Sequence, residues 1–274
     1  MASGIIENAA RTEQIVNLLA RGMTEPKIAV VGVGGAGSNT ISRLYGSMKE
    51  NVQMVAINTD ADNLLASMAH KKILVGGDVT QGQGTKGFPE VGEYCAECAK
   101  DAIRDSLRGN DIIMVVAGMG GGSGTGMAPV VARIAKESKA ITFVVAIRPF
   151  TSEGKDRTAK ADAGIEALKK VAPNMIVIEN DLLLRMAGDK KMSDAFKIID
   201  RNVMSIVDSF CAQVSNAFRV ELKKEVREWV MNHQEEQAPQ GMPIPVPQAK
   251  QSMEISPSHV MGAEAKLGPD LFQK

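Results

Sequence analysis

The chain has 274 residues, no formal net charge and a pI near 6.8, with 44% hydrophobic and 23% charged residues. That balance fits one large globular domain plus extras and excludes bulk electrostatic attraction to nucleic acid. No apolar run approaches the ~18 residues of a membrane-spanning helix, Met1 to Ala10 lack the basic start and long apolar middle of a secretory signal, and the 3 cysteines imply reduced thiols in a cytoplasmic protein.

Residues 1–26 form a predicted first segment, with an amphipathic helix over 5–21 that places Ile5, Ala9, Ile15, Leu18 and Leu19 on its apolar side. An apolar strand is predicted over 27–32. Gly32-Val33-Gly34-Gly35-Ala36-Gly37-Ser38-Asn39 leads from it into a helix over 36–48. The glycines at 32, 34 and 37 satisfy G-x-G-x-x-G, the spacing of a dinucleotide-binding turn. A strand is predicted over 53–58, and Asp60 beyond it stands where such a site has its acidic ribose ligand. Taken alone, this half therefore also reads as a nicotinamide-dinucleotide site. A helix over 60–69, a strand over 72–75 and a helix over 91–108 follow. Cys95 and Cys98 form C-x-x-C on that last helix. No further ligands at zinc spacing accompany them, so they read as structural thiols and no metal site is predicted.

The densest signal comes next. Ile112 to Ala117 read as a fully buried strand, and Met127 to Ser138 as a helix. Between them, Gly118-Met119-Gly120-Gly121-Gly122-Ser123-Gly124-Thr125-Gly126 holds six of the 26 glycines. A structural turn needs one or two glycines. A backbone without Cβ atoms can turn its N–H groups onto an anion, and the helix start adds free N–H groups and a positive dipole end. Two glycine loops over one sheet edge suit a longer phosphate chain than a dinucleotide pyrophosphate. The sequence has no G-x-x-x-x-G-K-[ST], so it holds no Walker-type P-loop.

A strand over 140–147, a helix over 155–171 and a strand over 175–179 continue the alternation. The fold class predicted is α/β, a Rossmann-like doubly wound parallel sheet with ligand loops at the strand C-termini. A long helix is predicted over 193–236, capped by Ser193 with Asp194 in its first turn. Phe196, Ile199, Val203, Ile206, Phe210, Ala217 and Val220 recur on one face of it, and Trp229, the chain's 1 tryptophan, sits near its end. Residues 237–274 hold six of the 11 prolines and read as a flexible tail.

These residues carry a family resemblance. Gly118 to Gly126 resembles the signature loop of the tubulin/FtsZ family, most often written GGGTGTG, with Ser123 keeping the hydroxyl of the first Thr. Other stretches are similar to FtsZ loops in the same order: Gly34 to Asn39; Asn58-Thr59-Asp60-Ala61; Gly82-Gln83-Gly84 through Pro89-Glu90-Val91-Gly92; Pro149-Phe150 with Glu153-Gly154-Lys155 and Arg157; Asn180-Asp181, preceded by Glu179 rather than the family's Pro; and Ala195-Phe196 with Asp200.

The resemblance implies a domain over 27–192 that binds GTP or GDP, with Mg2+ held through the phosphates. Gly34, Gly35, Ala36, Gly37 and Asn39 would hold phosphates, as would Gly118, Gly120, Gly121, Gly122, Ser123, Gly124, Thr125 and Gly126. Asp60 and Ala61 would lie near the γ-phosphate or its metal, with Asp62 a neighbour. Glu153 and Arg157 would fix the ribose, and Phe196 would stack on the purine. Asn180 and Asp200 would read the edge of guanine, a carboxylate accepting from N1–H and the 2-amino group together.

The chain also departs from the family, whose central helix leads into a loop resembling N-x-D-x-x-D and then a second α+β domain. That loop positions water at the γ-phosphate of the next subunit. No such stretch follows Asp200 here. The expectation is a truncated FtsZ-like cytoskeletal protein that binds guanine nucleotide and self-associates with it as a homo-oligomer or filament. Hydrolysis is expected to be slow or absent, and no catalytic residue is assigned. One alternative is a nucleotide-loaded adaptor of another FtsZ that does not polymerise; a remoter one is an NAD-dependent oxidoreductase. Leu267 to Phe272 would serve as a short docking peptide for a tail-binding protein. Neither nucleic acid nor a transmembrane segment is expected.

Overall fold

Long β-branched runs make the centre of the molecule. β1 (Ile28–Val33) and β4 (Ile112–Gly118) are buried along nearly their whole length, as continuous apolar strands covered on both faces are. In the computed structural model, residues 26–48 and 51–182 are described, with scattered helical positions between 201 and 228. The predicted N-terminal helix, the start of the predicted helix at 193, Trp229 and the tail lie outside the described residues.

β2 (Val52–Asn58), β3 (Lys71–Leu74), β5 (Ile141–Arg148) and β6 (Met175–Glu179) complete a sheet of order β3-β2-β1-β4-β5-β6. Every neighbouring pair is parallel, with Ile28 opposite Val52 on one side and Ile112 on the other. This is a doubly wound order, and its switch point falls between β1 and β4. All predicted strands are present, within about one residue at each end.

The helices depart more. α1 (Gly34–Leu44) starts earlier and ends earlier than predicted, and α2 (Ala61–Ala66) is shorter. A single turn, α3 (Gly77–Thr80), was not predicted. The helix expected over 91–108 is two: α4 (Pro89–Cys98) and α5 (Lys100–Leu107) meet at Ala99, whose φ of −96° and ψ of 11° lie off the helical values. The break lets α4 lie along α6 (Gly122–Glu137) while Ile103 and Leu107 of α5 reach the core. α6 begins five residues before its predicted start, so Gly122 to Gly126 are helix and not loop. The reason is packing. A Cβ on Gly126 would stand 1.9 Å from the Pro89 carbonyl oxygen, and one on Gly92 would stand 2.7 Å from that of Gly122. The glycines let α4 and α6 touch backbone to backbone. α7 (Lys155–Val171) matches its predicted span.

The elements from Lys27 to Phe210 form one compact unit. Val207 and Phe210 are buried, and the Phe210 ring lies 3.9 Å from that of Phe143 on β5, tilted by 50°. Phe210 thus meets the sheet layer, as the apolar face of the predicted long helix implies.

Candidate functional site

A parallel sheet puts all the loops after its strands on one edge. In spatial order these are the loops after β3, β2, β1, β4, β5 and β6. They enclose a cavity of about 390 Å³, within the range of small-ligand sites.

Two helices open onto it, α1 after β1 and α6 after β4. Each begins with no side-chain cap and no acidic residue in its first turn. Every other described helix has an acidic residue there: Asp62, Asp78, Glu90, Asp101 or Asp156. Free N–H groups and positive dipole ends are therefore aimed, without an internal anion, at the same space. Gly35 and Gly121 line that space, and each has room where a Cβ would stand, with nothing within 4 Å at Gly121 and only the Asn63 amide, 3.8 Å away, at Gly35. Their missing side chains leave the cavity open.

The remaining glycines answer to packing or to backbone angle. Gly34 has φ +70° and abuts the Gly124 backbone, while Gly120 has φ +93°. A Cβ on Gly37 would lie 2.4 Å from the Val116 carbonyl oxygen, so α1 sits directly on the sheet.

Hydroxyls tie the loops to one another. The Ser123 hydroxyl lies 2.7 Å from that of Thr59 and 3.4 Å from that of Thr85, joining the loops after β2, β3 and β4. The Thr125 hydroxyl instead accepts from the Gly120 N–H at 2.8 Å and braces the turn. Asp60 accepts from the Asn63 N–H at 2.9 Å and so caps α2. The Ala61 N–H donates to the Gly82 carbonyl at 2.8 Å.

On the β5 side, Glu153 accepts from the Phe150 N–H at 2.9 Å and pairs with Arg157. Arg148 pairs with Asp162 and, at 3.5 Å, with Glu179. The Asn180 side-chain oxygen is buried and has no hydrogen-bond partner among the described residues. A buried unpartnered acceptor at a cavity wall is a place for a ligand donor.

Of the residues expected at the site, Gly35, Ala36, Asp60, Gly118, Gly121, Gly122, Ser123 and Gly124 line the cavity, as do Glu153, Arg157 and Asn180. Gly34, Gly37, Asn39, Ala61, Gly120, Thr125 and Gly126 lie off its wall. Phe196 and Asp200 lie outside the described residues. The sequence reading placed the motifs of the β2 and β3 loops but assigned no role to Asn58, Asn63, Thr85, Lys86 or Arg148, all of which line the cavity. For Asn58, Asn63 and Arg148 the signal was position, at or within a few residues of the C-terminal end of a predicted strand, where such sheets bind; Thr85 and Lys86 stand about ten residues past theirs, and only the fold of that loop brings them to the cavity.

Comparison with known proteins identifies the family of the chain and supports its fold. A family model described as "Tubulin/FtsZ family, GTPase domain" matches residues 27–188. A cell division protein FtsZ of Methanothermobacter thermautotrophicus is 47% identical over 174 residues, 64% of this chain and 46% of that protein. A cell division protein FtsZ 2 of Methanocaldococcus jannaschii is 41% identical over 74% of this chain and 53% of its own length. The chain thus spans about half the length of the curated relatives it matches. Among solved structures, an empty FtsZ dimer of M. jannaschii superposes with a TM-score of 0.68 at 39% identity, covering 73% of this chain and 57% of that one. A GTPγS-bound protofilament of CetZ2 from Haloferax volcanii gives 0.62 at 29% identity, covering 69% and 59%.

Proposed function

Because this chain belongs to the tubulin/FtsZ family of GTPase domains, we propose that it binds GTP and GDP in the cavity at its sheet edge and self-associates according to which it holds. The observation that carries the reading is the convergence of two uncapped, acid-free helix starts, α1 and α6, on a space kept open by Gly35 and Gly121.

The phosphates lie against the N-termini of α1 and α6, where dipoles and free N–H groups favour them. The ribose faces Glu153 and Arg157. The base lies toward the β6 end, where Asn180 offers its unpartnered oxygen to a donor on the purine edge; Phe196 and Asp200, outside the described residues, are assigned to the base by the family resemblance alone. Asp60 is the carboxylate on the β2 side of the cavity. Mg2+ bound through phosphates needs only one or two carboxylates from the protein, so that residue suffices to hold it, and the ion would neutralise charge on the phosphates.

Hydrolysis by this chain is slow. Of the two carboxylates lining the cavity, Glu153 is paired with Arg157 and Asp60 is the one that would hold Mg2+, which leaves neither as a base for water. The 274 residues carry no N-x-D-x-x-D stretch after Asp200. Absence of a positioned base lowers a rate by roughly 10²–10⁴-fold. Among the described residues no helix is long and apolar enough to cross a membrane, and the proposed location is the cytoplasm. The FtsZ relatives are cell division proteins and the CetZ2 neighbour is a protofilament, which supports a cytoskeletal role.

Denaturing the purified chain should release guanine nucleotide, identified by chromatography and mass. Release of a nicotinamide or adenine nucleotide would refute the reading, as would no guanine binding at saturating GTP.

A further inference from the structure

We propose that Lys86 reads the outermost phosphate, so that one side-chain cation separates a nucleoside triphosphate from a diphosphate in this chain. The inference rests on the nucleotide reading above and assigns the specificity of that same site.

Three cations line the cavity: Lys86, Arg148 and Arg157. Arg148 is held by Asp162 and Glu179, and Arg157 by Glu153. Lys160, close by, is held by Asp156 and by the Gly87 carbonyl. Lys86 has no carboxylate partner among the described residues. It is the lining cation whose charge is left for a ligand.

Its backbone supports the assignment. The loop after β3 turns through Gly82, Gly84 and Gly87, all at positive φ, where glycine is unstrained. Lys86 shares that conformation at φ 52° although it carries a side chain. Gln81 does so too, but it does not line the cavity. Strained positions of this kind persist where the surroundings over-determine them, and they cluster at ligand clamps. The surroundings here do so. The Gly84 N–H donates to the Thr59 carbonyl at 3.1 Å, Thr85 reaches Ser123, and Lys160 donates to the Gly87 carbonyl at 3.0 Å. The chain on both sides of Lys86 is fixed while its ammonium has no carboxylate partner among the described residues.

The placement selects the outermost phosphate. A Cβ on Gly122 would stand 2.0 Å from the Thr85 hydroxyl and 2.6 Å from the Phe88 nitrogen, so residues 85–88 abut the start of α6, where the phosphates converge. The loop also bridges to Asp60 through Gln83, on the β2 side of the cavity. Asn180, the base-reading residue, follows β6 at the opposite end of the sheet. The phosphate farthest from the base is then the one within reach of Lys86.

The test titrates the 274-residue, nucleotide-stripped chain with GTP and with GDP. Lys86→Gly removes the cation and suits the backbone angle, and a thermal melt checks that it folds. It should weaken GTP binding about 10- to 100-fold, as loss of a charged hydrogen bond does, and leave GDP binding unchanged. Lys86→Arg should restore most of the GTP affinity. Equal losses for both nucleotides, or an unchanged GTP affinity in Lys86→Gly, would overturn the inference while leaving guanine binding intact. A wild-type chain that bound neither nucleotide would overturn the nucleotide reading and this inference with it.

Discussion

Gly121 and Gly126 stand one and a half turns apart and are glycine for opposite reasons. Gly121 has extended angles, φ −89° and ψ 173°, open to any residue, and its Cβ direction is empty. A side chain there would enter the cavity and spare the fold. Gly126 faces the Pro89 carbonyl at a distance no Cβ tolerates. Gly126→Ala should therefore lower stability by about 1–3 kcal/mol through overpacking, read as a drop in Tm. Gly121→Leu should keep the wild-type Tm and abolish guanine nucleotide binding. An equal fall in Tm for both variants would sink the distinction. Cys95 and Cys98 divide in a similar way. Burial pushes the Cys95 thiol up, while Cys98 is exposed and hydrogen-bonds Tyr94, raising that phenol. Among the described residues no group of three metal-ligating side chains accompanies them.

Among the elements, the helix starts divide the labour. α2 is capped by Asp60, and α1 and α6 are left bare where they face the cavity. Asp60→Ala should destabilise the nucleotide-free chain by about 0.5–2 kcal/mol, the usual loss for such a cap, while Asp60→Asn should retain most of it. Urea denaturation measures both, and identical midpoints for wild type and Asp60→Ala would exclude the capping role. The split of α4 from α5 had no punctuation in the sequence, since Ala99 is an ordinary helix former. It follows from contact across elements: α4 packs along α6 through Gly92, with Glu97 paired to Arg133, and α5 must turn to bury Ile103 and Leu107. At the sheet edge, β3 carries exposed Lys71 and Lys72, whose ammonium groups reach the carbonyls of Ser106 and Leu65. Charged lysines on an edge strand discourage strand-to-strand association.

For the whole molecule, the proposed consequence of nucleotide binding is assembly. Pelleting or light scattering should rise with GTP and stay near baseline with GDP. Asp200→Ala should remove both guanine binding and the rise. Equal scattering with either nucleotide would leave a nucleotide-loaded adaptor as the better account. Salt gives a further readout, because binding of a polyanion through Lys86 weakens as ionic strength screens the charge.

The strands, their alternation with helices and the glycine-rich loops at the sheet edge were legible in the sequence, because buried strands and glycine-rich turns are local signals set by a few adjacent residues. Gly121 and Gly126 look alike in that text, as do the helix-capping Asp60 and a free carboxylate, or Lys86 and any surface lysine. Only the tertiary structure separated them. It decides which backbone a missing Cβ would strike, which carboxylate each cation already holds, and which helix ends face common space. Those are distances between residues far apart in the chain, and no local pattern encodes them.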